Sequence, residues 1–301
     1  MTDHLQFTVD PGAFLALAED YLTADPVLCS VVASTANREA SSGCEATPGS
    51  PHWYVTVHGP DRVVGAAMRT APDPPHPLFV LPMPDAAAVD LARVLHDRGE
   101  SVGGANGALP AVRVFAQEIA RLNGGSVGVE VPTRLFELRH VIDPRPAPGT
   151  LRLVTTDDVD LVTSWLDWFH HDADFQAGRD PGDQPAPRPE QVRAQIEAGR
   201  YWLWWHQDRP VHLSGLNPDS FGVQRIGPVY TPPAERGRGW ASAAVAQLCR
   251  QILSAGARPC LFTDQHNPVS NHVYTAIGFE PVVDMVNLTI DAASSPRRVD
   301  G

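Results

Sequence analysis

Two glycines separated by a single residue, Gly237 and Gly239, stand between the strand-like run Val229-Tyr230-Thr231 and a stretch opening Trp240-Ala241. Arg236 and Arg238 alternate with them. A chain that leaves a strand through such a turn and enters a helix directs several backbone N–H groups at one point, which favours an anion. Glycine there lets the backbone approach an oxygen-rich ligand with no Cβ in the way, and the arginines add charge beside it. Downstream, Asn267, Ser270 and Tyr274 lead into Gly278-Phe279. The Tyr274 phenol is able to donate a hydrogen bond to developing negative charge.

The elements that must hold these residues are readable from periodicity. A strand over 226–230 feeds the turn, and a helix over 239–255 keeps Ala243, Ala244, Ala246, Leu248, Ile252 and Leu253 apolar before stopping at Gly256. A parallel strand over 260–263, a short helix over 270–277 and a closing strand over 282–290 follow. Upstream come a strand at 151–154, a helix capped by Asp157 or Asp158 with apolar positions from Val159 to Phe169, a polar proline-rich stretch over 170–189, a helix over 190–198, and strands at 201–205 and 211–216. Alternation puts Tyr201, Leu203 and Trp205 on one strand face and Trp202 and Trp204 on the other. One face is expected in the core, and the other either walls the acceptor pocket or, the preferred reading, packs against the first half of the chain.

Taken together, Arg236 to Ala241 and the run from Asn267 to Phe279 resemble the GCN5-related N-acetyltransferase family, whose diphosphate loop reads Arg/Gln-x-x-Gly-x-Gly/Ala. That resemblance implies an α/β fold with a mixed sheet, and acetyl-CoA bound by Val229, Tyr230, Thr231, Arg236, Gly237, Arg238, Gly239, Trp240, Ala241, Asn267 and Ser270. In the family the strand before the loop splays from its parallel neighbour and pairs with the pantetheine amides. Pro228 has no N–H, so Val229 and Thr231 are the expected donors. The resemblance also implies transfer of acetyl to a primary amine of a small molecule or peptide by direct attack, with Tyr274 as general acid. No carboxylate lies on the strand 225–230. The base is therefore sought in His212 or in the cluster His170, His171, Asp172 and Asp174, which reads either as an acidic lining for a cationic acceptor or as a solvated loop. The cluster lacks a recognised metal-ligand spacing, and no metal is expected. A silent acyl-CoA-binding sensor or partner subunit is the rival reading.

Composition narrows the alternatives. The chain has 301 residues and carries 23 basic against 35 acidic groups, a net charge of −12 that disfavours nonspecific binding to nucleic acid or anionic membranes. Every basic residue is arginine, so lysine Schiff-base chemistry and a Gly-Lys-Ser/Thr nucleotide loop are both excluded. Cys29, Cys44, Cys249 and Cys260 show no paired spacing and Met1 to Asp10 is polar, which points to a cytoplasmic protein with free thiols, monomeric or homodimeric.

The first half repeats the outline of the second. Trp53-Tyr-Val-Thr-Val57 and Val63-Val-Gly-Ala-Ala67 match the strands at 201–205 and 211–215 with an offset of 148 residues, Trp53 to Tyr201. A helix over 14–22, a central strand over 78–81, a helix over 112–122 and strands at 127–131 and 135–141 complete it. After Leu81, however, stands Pro82-Met-Pro-Asp85 in place of a glycine turn, and the run Val102 to Gly107 is read as a plain loop. Two acyl-CoA N-acyltransferase-like domains in tandem are therefore expected: a degenerate one over 1–143, a linker over 144–150, a catalytic one over 151–290, and a tail over 291–301.

Overall fold

The computed structural model describes residues 4–42, 50–71, 74–176 and 186–291, and the structural statements below concern those residues. Contacts group them into two compact units, 1–133 with 283–301, and 134–282. The division differs from the sequence expectation at both closing strands. The last strand of the chain completes the first unit, and the strand expected to close the first half ends in the second.

The first unit contains β1 (His4–Thr8), α1 (Pro11–Ala24), α2 (Ser30–Ser42), β2 (Trp53–His58), β3 (Val63–Arg69), β4 (Leu78–Val80), α3 (Asp85–Asp97), β5 (Gly104–Ala108) and α4 (Ala111–Leu122). Next comes β6 (Ser126–Leu138), whose 134–138 end lies in the second unit. That unit continues with β7 (Thr150–Leu153), α5 (Val159–Gln176), α6 (Pro189–Glu197), β8 (Tyr201–His206), β9 (Arg209–Leu216), β10 (Val223–Tyr230), α7 (Trp240–Ser254), β11 (Arg258–Asp264) and α8 (Pro268–Ala276). The final strand, β12 (Phe279–Asp291), returns to the first unit and pairs antiparallel with β5 from Met285 to Thr289.

Within each unit the pairing follows one plan. In the first, β1-β2-β3-β4 are antiparallel neighbours, β4 and β5 are parallel, and β12 follows β5. In the second, β7-β8-β9-β10 are antiparallel neighbours, β10 and β11 are parallel, and β6 lies beside β11. Parallel neighbours require a crossover, which α3 supplies in one unit and α7 in the other.

Several sequence expectations change. The run before Ala108 forms β5 and is no loop: Gly104, Ala105 and Ala108 are buried, and small residues suit the tight parallel pairing with β4. Helix α3 was missed, although Ala87, Ala88, Leu91, Ala92 and Leu95 form its buried face. The segments 127–131 and 135–141 merge into β6. Helix α5 runs on to Gln176, so residues 170–176 are helical and do not belong to a loop, while 177–185, Cys44 and 292–301 lie outside the described residues. Both faces of β8 are core of the second unit. Tyr201 and Leu203 pack with α5 and α6 residues, whereas Trp204 packs with Trp240 and Ala244 of α7. The second face, expected to meet the acceptor pocket or the first half, is covered at Trp204 by the apolar side of α7. Burying side chains of this size contributes about 1.5–3 kcal/mol each, and it fixes α7 against the sheet.

Candidate active site

The parallel strands β10 and β11 pair only at their start, Val223 to Arg225 against Arg258 to Cys260. Beyond that point they part, β10 continuing to Tyr230 and β11 to Asp264. The register of β10 against β9 shifts between Ile226 and Val229, a bulge at Gly227-Pro228 that bends β10 away. The gap opens into a cleft of about 680 Å³ bounded by β10, the turn after it, the start of α7, the end of β11, and α8.

The turn is built as its sequence requires. A short 3-10 turn at Pro233–Glu235 ends at Arg236, and Gly237 and Gly239 then adopt φ of 75° and 83°, the left-handed region that only glycine enters at low cost. Gly239 is the N-cap of α7 and offers no side-chain cap. A Cβ on Gly237 would meet nothing within 4 Å, and one on Gly239 only the Ala147 Cβ at 4.0 Å, so backbone conformation selects glycine here and crowding does not. The turn and the first helical residues, Arg236 to Ser242, all line the cleft. The positive end of α7 thus meets the cleft through unsubstituted backbone.

Both arginines of the turn already have carboxylate partners. Arg238 Nη1 lies 3.2 Å from Glu235 Oε2, and Arg209 Nη1 lies 2.5 Å from the other oxygen. The hydrogen bond from Arg209 is the main reason the Glu235 carboxyl is held below the usual range. Arg236 donates through Nε to the Thr231 carbonyl at 3.0 Å and through Nη2 to Asp172 at 2.5 Å. The phenol of Tyr230 donates to the same Asp172 oxygen at 3.0 Å. Burial, reinforced by that carboxylate, pushes the Tyr230 phenol well above its ordinary pKa.

On the opposite wall, Asn267 caps α8 by accepting the Ser270 N–H at 3.0 Å, while Ser270 and Tyr274 line the cleft one and two turns on. Tyr274 is 7 % exposed and sits edge-on to Phe279 with ring centroids 5.8 Å apart. Core packing and a place on the cleft wall therefore coincide in one residue. Desolvation raises its pKa above the ordinary tyrosine value. Asp264 accepts the His266 N–H at 2.8 Å, a local turn at the end of β11.

Of the residues singled out in the sequence, those from Val229 to Thr231, from Arg236 to Ala241, and Asn267, Ser270 and Tyr274 are brought together here. His212 is not. It is fully buried beneath β10, with Nδ1 2.7 Å from Thr231 Oγ1 and Nε2 2.8 Å from Ser214 Oγ, and desolvation lowers its pKa to about 3. Both ring nitrogens are occupied and neither reaches the cleft, which fits a packing role and leaves no free nitrogen for an acceptor. Sequence reasoning also overlooked Asn271. It receives Thr263 Oγ1 at 2.6 Å and donates to the Asp264 and Gln265 carbonyls, pinning the free end of β11 to α8. Its position one helical turn after the N-cap was the available signal.

The family description "FR47-like protein" matches residues 220–286, the segment from the start of β10 into β12. Solved structures align over nearly the whole chain. A tandem GNAT protein from the clavulanic acid biosynthesis pathway is 13 % identical, with 97 % of this chain and 100 % of that one covered and a TM-score of 0.59. A GCN5-related N-acetyltransferase from Sphaerobacter thermophilus is 15 % identical over 98 % of each chain, with a TM-score of 0.57. The fold is that of the GCN5-related N-acetyltransferases. A Drosophila protein with the same layout is 13 % identical, with 97 % and 100 % covered and a TM-score of 0.66. No curated protein sequence matches the chain. In this acetyltransferase fold the parted strands and the glycine turn occupy the second unit. Among the described residues no helix is long and apolar enough to cross a membrane, and no cluster of three metal-ligating side chains occurs.

Proposed function

We propose that the second unit binds acetyl-CoA in the cleft between β10 and β11 and transfers its acetyl group to a primary amine of a small molecule or peptide. On this reading the first unit is a degenerate copy of the same domain in a tandem chain. The observation that carries the reading is the coincidence of parted parallel strands with a helix entered through two left-handed glycines. Backbone groups of β10 beyond Arg225 have no parallel partner on β11, and buried peptide groups must be satisfied by something. A ligand carrying two amides beside a diphosphate fits that demand, the diphosphate lying at the N–H groups of α7.

When bound, acetyl-CoA supplies the thioester. The neutral amine attacks the acetyl carbon, forming the C–N bond as the C–S bond breaks, and a backbone N–H at Val229 polarises the carbonyl. Tyr274 donates its proton to the leaving sulfur and is reprotonated as the amine sheds its surplus proton to solvent. The place of Tyr274 on the cleft wall, one helical turn beyond Ser270, supports this role.

Incubation with acetyl-CoA and a panel of amines, following free thiol, tests the reading, and amine-dependent thiol release is the expected result. Asp172 and Glu235, two carboxylates of the cleft, are both held in ion pairs, which favours a second reading, a silent acyl-CoA binder. CoA binding without turnover on any amine would select it.

A further inference from the structure

Asp172 reaches the cleft from α5 and accepts hydrogen bonds from across it, from the neutral phenol of Tyr230 on β10 and the guanidinium of Arg236 in the glycine turn. The Asp172 and Arg236 side chains keep 27 % and 34 % of their exposure, so the pair stands at the solvent edge of the cleft, within reach of an entering ligand. A guanidinium serves either a carboxylate or a phosphate with the same planar fork. A diphosphate at the start of α7 would place two negative charges beside Asp172 and in reach of the same arginine. The carboxylate is then a rival of the ligand for Arg236 and repels it as well.

We propose that Asp172 is an internal competitor for Arg236, an inference that rests on the acetyl-CoA reading above. In the ligand-free protein the carboxylate holds the guanidinium against β10. The diphosphate takes the guanidinium on binding, and Asp172 reclaims it as spent CoA departs. Asp172 thereby limits the affinity for diphosphate-bearing acyl carriers and speeds release of the product, acting through Arg236 as a positioning residue.

Titration calorimetry and stopped-flow dissociation of CoA, on the full chain, test this. Asp172→Asn is expected to tighten CoA binding about three- to tenfold, mainly by slowing dissociation, while Asp172→Glu, which keeps the charge, stays near wild type. In an Arg236→Gln background the gain from Asp172→Asn should shrink below about twofold, since the contested group is gone. A merely structural carboxylate would move affinity the other way. Weaker or unchanged binding in Asp172→Asn, or an equal gain in the Arg236→Gln background, overturns the competition while leaving the acetyl-CoA reading intact. A wild-type chain that binds no CoA overturns that reading and this inference with it.

Discussion

The two parallel strand pairs of this chain share a plan and differ in outcome. In the first unit β4 is paired along its whole length, Leu78 to Val80 against Ala105 to Gly107, and it then runs into a buried Leu81 whose N–H bonds to Ala66. The Pro82 carbonyl is capped by the Tyr21 hydroxyl at 2.7 Å, Met83 is buried against β3, and α3 starts after Pro84 with no glycine. Gly107, at φ 149°, lets β5 lie so close that a Cβ there would stand 2.0 Å from the Val80 carbonyl oxygen. In the second unit the pairing stops after three residues, a bulge bends β10 away, and two left-handed glycines turn bare helix N–H groups into the gap. The same succession of elements thus gives a closed seam in one place and an open cleft in the other. A bulge, two glycines and the absence of a plug make the difference.

The largest expected effect comes from destroying what only the second unit has. Gly239→Val forces a β-branched residue into the left-handed region and should weaken CoA binding about 100-fold or more while the protein still folds, read by calorimetry and circular dichroism. Unchanged affinity would mean the turn is no anion site. Tyr274→Phe should lower kcat about 100-fold and leave CoA affinity within roughly threefold, and an equal loss in both would reassign Tyr274 to packing. Breaking the closed seam should do the reverse. Gly107→Ala is expected to cost about 2–3 kcal/mol of stability in urea titrations with CoA affinity unaltered.

The smallest effect concerns His212. Its folded pKa, about 3, lies below the unfolded value of about 6.5. Between those values the unfolded chain binds a proton that the native chain does not, so stability falls as pH drops through that window. His212→Asn should remove roughly 2 kcal/mol of the wild-type loss between pH 7 and pH 5, measured by urea unfolding at both.

Much of the second unit was legible because its signals are local. The glycine pair and the spacing from Asn267 to Tyr274 are set within a few residues of the elements they serve. What depends on distant contacts was not. Small residues in β5 look like a loop until the neighbouring strand is seen to need the close approach. Nothing in β12 announces that it pairs with β5, since its alternation suits any half-buried edge. His212 illustrates the same limit, because a lone histidine on a strand gives no hint that Thr231 and Ser214 enclose it. The partners of Arg236 and Arg238 were equally hidden, since each arginine is paired with a carboxylate that no local spacing announces.

The contrast between the two strand pairs is tested most directly by the stoichiometry of CoA binding to the whole chain in a calorimetric titration. One site per chain, abolished by Gly239→Val and untouched by Gly107→Ala, is the predicted result. Two sites, or one that survives Gly239→Val, would contradict it.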